Sequence, residues 1–309
     1  MTRASSNRSQ FQLVKRISNQ NMSIGETELV WSLCALSGDV VLLLKVTGEL
    51  QAVSLDSLFS AHKFYPIQSN GIYQVAFDSQ TDTLLLVVQN ATGKSYELVS
   101  LGRDTNGWSV KKRLSVDIDP ADSKIAVCLS RLLLRGRYDK LHVFDVSATH
   151  SVSAMGYLAL GQENEFYGFS CTRRDNDTYI ALTHASSVSL HRLVSSQPLQ
   201  LVELANFTLF EPKRSLPHKD LMLFLGARLL VANYNENTQT HAIVTLRASE
   251  NALTDKRIVN LDSGNDAGVQ VNAWTLAGDR LVLWGSNSKS LYVYRLRMNN
   301  NELEPKNEN

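Results

Sequence analysis

The chain has 309 residues, 43% of them hydrophobic and 20% charged, and its 31 Lys and Arg nearly balance 30 Asp and Glu. That composition excludes a disordered chain and supplies apolar surface for a sizeable core, while the near-zero net charge excludes a global field drawing the protein onto nucleic acid or an anionic membrane. Cys34, Cys128 and Cys171 are odd in number, far apart and set in apolar runs, so buried free thiols are expected rather than a disulfide framework or a zinc knuckle.

In chain order, residues 1–10 (MTRASSNRSQ) are polar and basic with no apolar core of a signal peptide, and are expected to be disordered. No apolar run approaches the roughly 18 residues of a membrane span, so no membrane partner and a cytoplasmic or nuclear location are expected. FQLVKRIS from Phe11 reads as an isolated strand. From Val30 the chain falls into similar blocks. The first is VWSLCAL, the turn Ser37-Gly38-Asp39, VVLLLKV from Val40 and LQAVSL over 50–55. The second is YQVAF from Tyr73, LLLVV from Leu84, YELVSL over 96–101 and WSVKKRLSVD from Trp108. The third is IAVCL from Ile125, RLLLRG from Arg131 and LHVFDV over 141–146. The fourth is FYGFSC from Phe166, the turn Asp175-Asn176-Asp177, VSLHRL over 188–193 and LQLVEL from Leu199. The fifth is LMLFL from Leu221, RLLVAN from Arg228, HAIVTL over 241–246 and KRIVNL from Lys256. The sixth is VNAWTL from Val271, Ala277-Gly278-Asp279, RLVLWG from Arg280 and LYVYRL over 291–296, after which 299–309 is a polar tail expected to be disordered.

The six-residue segments recur with their last residues spaced by 46, 45, 47, 53 and 50 positions, close to the ~40–50 residues of one four-stranded propeller blade. The alternating segments read as half-covered strands, and the continuous apolar runs before them as strands covered on both faces. Their connections are too short for crossover helices, which excludes a parallel α/β sheet. The sixth block lacks a fourth strand, and FQLVKRIS can supply it. The expected fold is therefore an all-β propeller of about six four-stranded antiparallel blades over 11–298, its ring closed by the N-terminal strand, which leaves no open sheet edge at the seam.

The segment LHVFDV, with Asp145 in place, resembles the end of a WD repeat, and the strand order over 11–298 resembles that family's blade. No Trp-Asp or Gly-His dipeptide occurs, and Ser54, Ser100, Arg192, Thr245 and Arg295 stand where the family has Asp. The hydrogen-bonded network of a regular WD blade is accordingly expected to be absent or replaced.

Seven histidines show no metal-ligand spacing, and His142 and His191, inside strands, read as packing residues. No nucleophile elbow, Walker loop or dinucleotide fingerprint is present. Inner strands begin near Glu28, Gln74, Lys124, Glu165, Asp220 and Asn272, a mixed set that reads as solvated channel lining. Trp31, Trp108, Trp274 and Trp284 read as packing residues, and the basic groups Lys15-Arg16, Lys111-Lys112-Arg113 and Lys256-Arg257 as protection of outer strands against edge pairing. No catalytic residue, metal, cofactor or small-molecule substrate is indicated.

The reading is a non-catalytic protein-interaction scaffold or adaptor whose partners are other protein subunits. The alternative is a propeller subunit of a nucleic-acid-processing complex that reaches RNA or DNA through local basic patches. The expected partner surface is the long connection 210–220, where Pro212 and Pro217 stiffen a segment bearing Lys213, Arg214, Leu216, His218 and Lys219, together with the hairpin residues Arg137, Tyr138 and Lys140. That composition suits docking of an acidic segment.

Overall fold

The computed structural model describes residues 11–22, 24–25, 28–56, 61–64, 67, 71–120, 123–138, 140–160, 168–184, 187–195, 197–208, 222–235, 240–249, 251–261 and 268–296. The chain opens with strand β1 (Phe11–Ser18) and then builds six sheets. Blade 1 is β2 (Val30–Ala35), β3 (Val40–Lys45), β4 (Leu50–Ser54) and β5 (Ala61–Phe64). Blade 2 is β6 (Ile72–Asp78), β7 (Thr83–Gln89), β8 (Tyr96–Asp104) and β9 (Gly107–Val116). Blade 3 is β10 (Ile125–Cys128), β11 (Arg131–Arg135), β12 (Lys140–Val146) and β13 (Val152–Ala159). Blade 4 is β14 (Gly168–Arg174), β15 (Asp177–Thr183), β16 (Ser187–Val194) and β17 (Gln200–Thr208). Blade 5 is β18 (Met222–Leu225), β19 (Arg228–Asn235), β20 (Thr240–Ala248) and β21 (Leu253–Asn260), and blade 6 is β22 (Val271–Ala277), β23 (Arg280–Gly285) and β24 (Ser290–Leu296).

Each sheet is antiparallel, and the fourth strand of blade 6 is β1, whose register on β24 runs from Phe11 opposite Leu296 to Ser18 opposite Ser290. The first strands of neighbouring blades meet one another around the whole ring, β2 touching both β6 and β22. The expected six-bladed propeller and its closure by the N-terminal strand are thus found.

The core is divided among six seams, one between each pair of adjacent blades. The continuous apolar runs explain this division. In β3, Val41 and Leu43 enter the seam with blade 6 while Leu42 and Leu44 enter the seam with blade 2. In β7, Leu84, Leu86 and Val88 face blade 1 while Leu85 and Val87 face blade 3. Side chains of a strand alternate between its faces, so a strand wedged between two neighbours must be apolar at every position. Each such side chain contributes about 1.5–3 kcal/mol by leaving water.

Two outer strands, β5 and β13, are absent from the sequence reading. β13 is largely exposed, so its residues carry little apolar alternation, and β5 has only four residues. Bulges interrupt the pairing of third and outer strands in blades 2 to 6. They also interrupt the first hairpin at the start of β2, β6 and β22, where Trp31, Tyr73 and Asn272 are the extra residues. A bulge adds local twist and re-aims a side chain.

In three blades the residue at the position of the WD-repeat Asp forms an ion pair with the second strand or the turn before it. Asp145 pairs with Arg131 across β11 and β12. In blade 4 Arg192 lies 3.7 Å from Asp177, and in blade 6 Arg295 lies 3.6 Å from Asp279. Ser100 and Thr245 occupy the same position as small buried side chains.

Candidate interaction face and central cavity

Because every blade runs inner to outer, its second hairpin and the connection to the next blade emerge on one face, and its first and third hairpins on the other. The expected partner residues Arg137 and Tyr138 lie in the β11–β12 hairpin, with Lys140 opening β12, on the first of these faces. The hairpin is tied down. Gly136 N–H donates to Lys140 O at 2.8 Å and Arg137 N–H to Asp117 O at 3.2 Å. The Arg137 guanidinium donates to Ile118 O at 3.1 Å and lies 3.6 Å from the Asp117 carboxylate. Arg137 therefore clamps the hairpin to the connection from blade 2.

Tyr138, at the tip, has φ 57° and is 83% exposed. A bulky residue in the left-handed region, held there by flanking bonds while its ring stands in water, is uncommon. Lys140 Nζ lies 4.9 Å over the ring of Tyr157, which is 53% exposed on β13. Across the seam, Tyr73 and Tyr96 pack edge to face at 5.3 Å. Burial, reinforced by Tyr73 and Asp119 and opposed by Arg137, raises the Tyr96 hydroxyl above its ordinary pKa and keeps it a donor. One sector of blades 2 and 3 thus carries four tyrosines, of which the sequence reading named only Tyr138. Tyr73, Tyr96 and Tyr157 come from three different strands, and only the pairing of those strands reveals the cluster.

Lys213, Arg214, Leu216, His218 and Lys219 lie outside the described residues. Their segment joins β17 to β18, so its two chain ends belong to the face that bears the Tyr138 hairpin.

Of the residues expected along the channel, Gln74, Lys124 and Asn272 line a central cavity of about 590 Å³, and Glu165 and Asp220 lie outside the described residues. Gln74 Nε2 donates to Ser123 O at 2.8 Å and Asn272 Nδ2 to Val30 O at 2.7 Å, so both amides bridge neighbouring blades. Glu28 is not in the cavity wall. It accepts from Gly25 N–H at 2.9 Å and lies 3.0 Å from Lys45 Nζ, and these two partners hold its carboxyl below the usual range. Among the described residues no cluster of three metal-ligating side chains occurs.

Trp284 is sealed in the seam of blades 6 and 1, and Trp108 packs edge to face on Phe77, as packing residues do. Trp31 and Trp274 differ from that expectation in also lining the cavity. His142 stacks on Phe144 at 6.3 Å, and burial followed by the Lys140 charge holds its pKa down. His191 Nε2 lies 2.8 Å from Ser189 Oγ, and burial likewise depresses it. The three cysteines are free and buried; burial pushes the Cys34 thiol up to about 12 and raises Cys171 as well.

The basic groups of the outer strands sit on blades 6, 2 and 5. Several are engaged locally. Lys15 Nζ donates to Leu55 O at 3.0 Å, Arg113 lies 2.8 Å from Glu97, and Arg257 lies 3.0 Å from Asp255.

No family model matches the chain, and no curated protein matches it. Among solved structures, a protein from Lactobacillus plantarum superposes with a TM-score of 0.58 at 14% identity, covering 86% of this chain and 80% of that one. A chain in the crystal structure of a mitotic checkpoint complex superposes with a TM-score of 0.52 at 10% identity, covering 96% of this chain and 99% of that one. At such identities the likeness is one of fold, and the strand order is that of a six-bladed β-propeller.

Proposed function

We propose that the protein is a non-catalytic interaction scaffold that docks an extended acidic segment of a partner subunit on the tyrosine-rich sector of blades 2 and 3. The observation that carries this reading is Tyr138, 83% exposed on a hairpin pinned by Arg137. Tyrosine offers large contact area at low entropic cost, and Tyr and Arg dominate the energetic centres of protein interfaces. Lys140 beside Tyr157 supplies positive charge that suits an acidic partner, and the sequence carries further basic residues, Lys213, Arg214 and Lys219, in the connection from blade 4 to blade 5. The mitotic checkpoint assembly provides a precedent for such a ring within a complex, although fold by itself does not assign function.

The test is co-purification with Tyr138→Ala plus Lys140→Glu, and separately with Lys213→Glu plus Arg214→Glu. Both are expected to leave stability within about 0.5 kcal/mol, the usual range for substitutions that create no cavity and bury no charge. The first pair should lose the principal co-purifying chain, and the second should weaken it most at low salt. Full retention of every partner by well-folded variants refutes the placement.

A further inference from the structure

Cys128 and Cys171 come from different blades yet share one seam. β10 and β14 are the touching first strands of blades 3 and 4. Cys128 closes β10 opposite Arg131, and Cys171 lies within β14 opposite Ile180. Both side chains belong to the apolar cluster between these two blades. Alternation along β14 puts Arg173 on the same side as Cys171, and the Arg173 guanidinium donates to the carbonyl of Leu129, the residue after Cys128, at 3.1 Å. That bond fixes the two strands at the level of the thiols. After burial, the strongest influence on the Cys171 thiol is a side-chain hydrogen bond with Cys128, which raises it. Neither thiol is fully enclosed: Cys128 is 8% and Cys171 6% exposed, and Cys171 borders the central cavity. Cys34 is placed differently. It lies in the seam of blades 1 and 2 with its thiol 3.8 Å from the carbonyl of Ala35, and the chain has no fourth cysteine to pair with it.

We infer that Cys128 and Cys171 form an oxidation site, a dithiol that hydrogen peroxide converts to a disulfide stapling blade 3 to blade 4. The sulfur of Cys171 attacks one peroxide oxygen; the O–O bond breaks, a sulfenic acid forms, and the departing oxygen leaves as water with the thiol proton. The sulfur of Cys128 then attacks that of Cys171. The S–O bond breaks as the S–S bond forms, and the hydroxyl leaves as water with the second thiol proton. Two electrons pass from the thiols to the peroxide, and a dithiol reductant returns them and reopens the staple. The thiolate is the attacking form, and burial disfavours it at Cys171, so the reaction is slow near neutrality and quickens as pH rises. Cys128 sits beside the β10–β11 hairpin, on the face opposite Tyr138, so the staple and the docking sector are separate.

The experiment treats the folded full chain with hydrogen peroxide, blocks the remaining thiols with N-ethylmaleimide and maps the peptides by mass spectrometry. The expected product is a cross-link joining the Cys128 and Cys171 peptides, lighter by two hydrogens and opened by dithiothreitol, with Cys34 outside any cross-link. It should form faster at pH 9 than at pH 7. The oxidised chain should melt above the reduced one, since a bridge between blades restricts the unfolded chain. Cys128→Ser should abolish the cross-link and leave a Cys171 sulfenic acid that dimedone traps. A folded parent chain whose Cys128 and Cys171 both stay alkylatable after peroxide overturns the inference, as does a cross-link that forms only in urea or that involves Cys34. If Cys128→Ser does not fold, the parent chain alone decides by those outcomes.

Discussion

At the residue scale, one guanidinium links blades 6 and 1 at the rim of their apolar seam. Arg280 donates to Asp56 through two nitrogens at 2.6 and 3.2 Å and reaches Asp39 at 3.4 Å. The Arg280 hydrogen bonds, more than any other influence, hold the Asp56 carboxyl down to about 2, whereas the neighbouring Asp56 raises Asp39 above its ordinary value. A carboxylate whose folded pKa is depressed adds stability above its unfolded value, about 3.9. That stability disappears as pH falls through the folded value. Asp39 acts in the opposite sense, gaining its proton more readily in the folded chain. Asp56→Asn should therefore lower the urea midpoint at pH 7, and the difference from the parent chain should shrink between pH 4 and pH 2. Equal differences at the two ends of that window would remove Asp56 from the account. Two sequence features foreshadow this staple, the Asp-Arg pair after Gly278 and the Asp after the first repeat. Nothing local says that they meet.

At the scale of elements, the decisive strand is β1. Phe11 and Ile17 are buried by it, in the two seams that flank blade 6, and each loses about 1.5–3 kcal/mol of burial if the strand is removed. Several backbone hydrogen bonds to β24 go with it, each worth about 1 kcal/mol. Deleting residues 1–19 should therefore lower the melting temperature of the whole ring, and a peptide of residues 11–18 added in trans should recover part of the loss. A truncated chain that melts like the parent would show that β1 is not structural. Strands such as β3 and β7 were legible because burial on two faces leaves an uninterrupted apolar run in the sequence. β13 was not, because an exposed edge strand is held by backbone bonds that almost any side chain permits. Tyr157 was missed for the same reason.

At the scale of the molecule, a net charge of +1 supplies no global field for a phosphate backbone, and the basic segments of the outer strands are divided among blades 2, 5 and 6. The purified chain should accordingly show no salt-sensitive retention on immobilised RNA or DNA at physiological salt. Retention that falls steeply as salt is raised would revive the nucleic-acid reading. The repeat, the antiparallel hairpins and the need for a closing strand were determined by the sequence alone, because period-2 alternation and turn chemistry act over a few residues. The exact number of blades, closure itself, the six seams, the tyrosine sector and the central cavity were decided only by tertiary structure. Arg280 and Asp56 are 224 positions apart and Arg16 and Ser290 are 274 apart, and each seam or site combines side chains from different blades. The physical reason is that a ring makes neighbours of residues whose local sequences carry no mark of one another, so its composite surfaces are products of its closure.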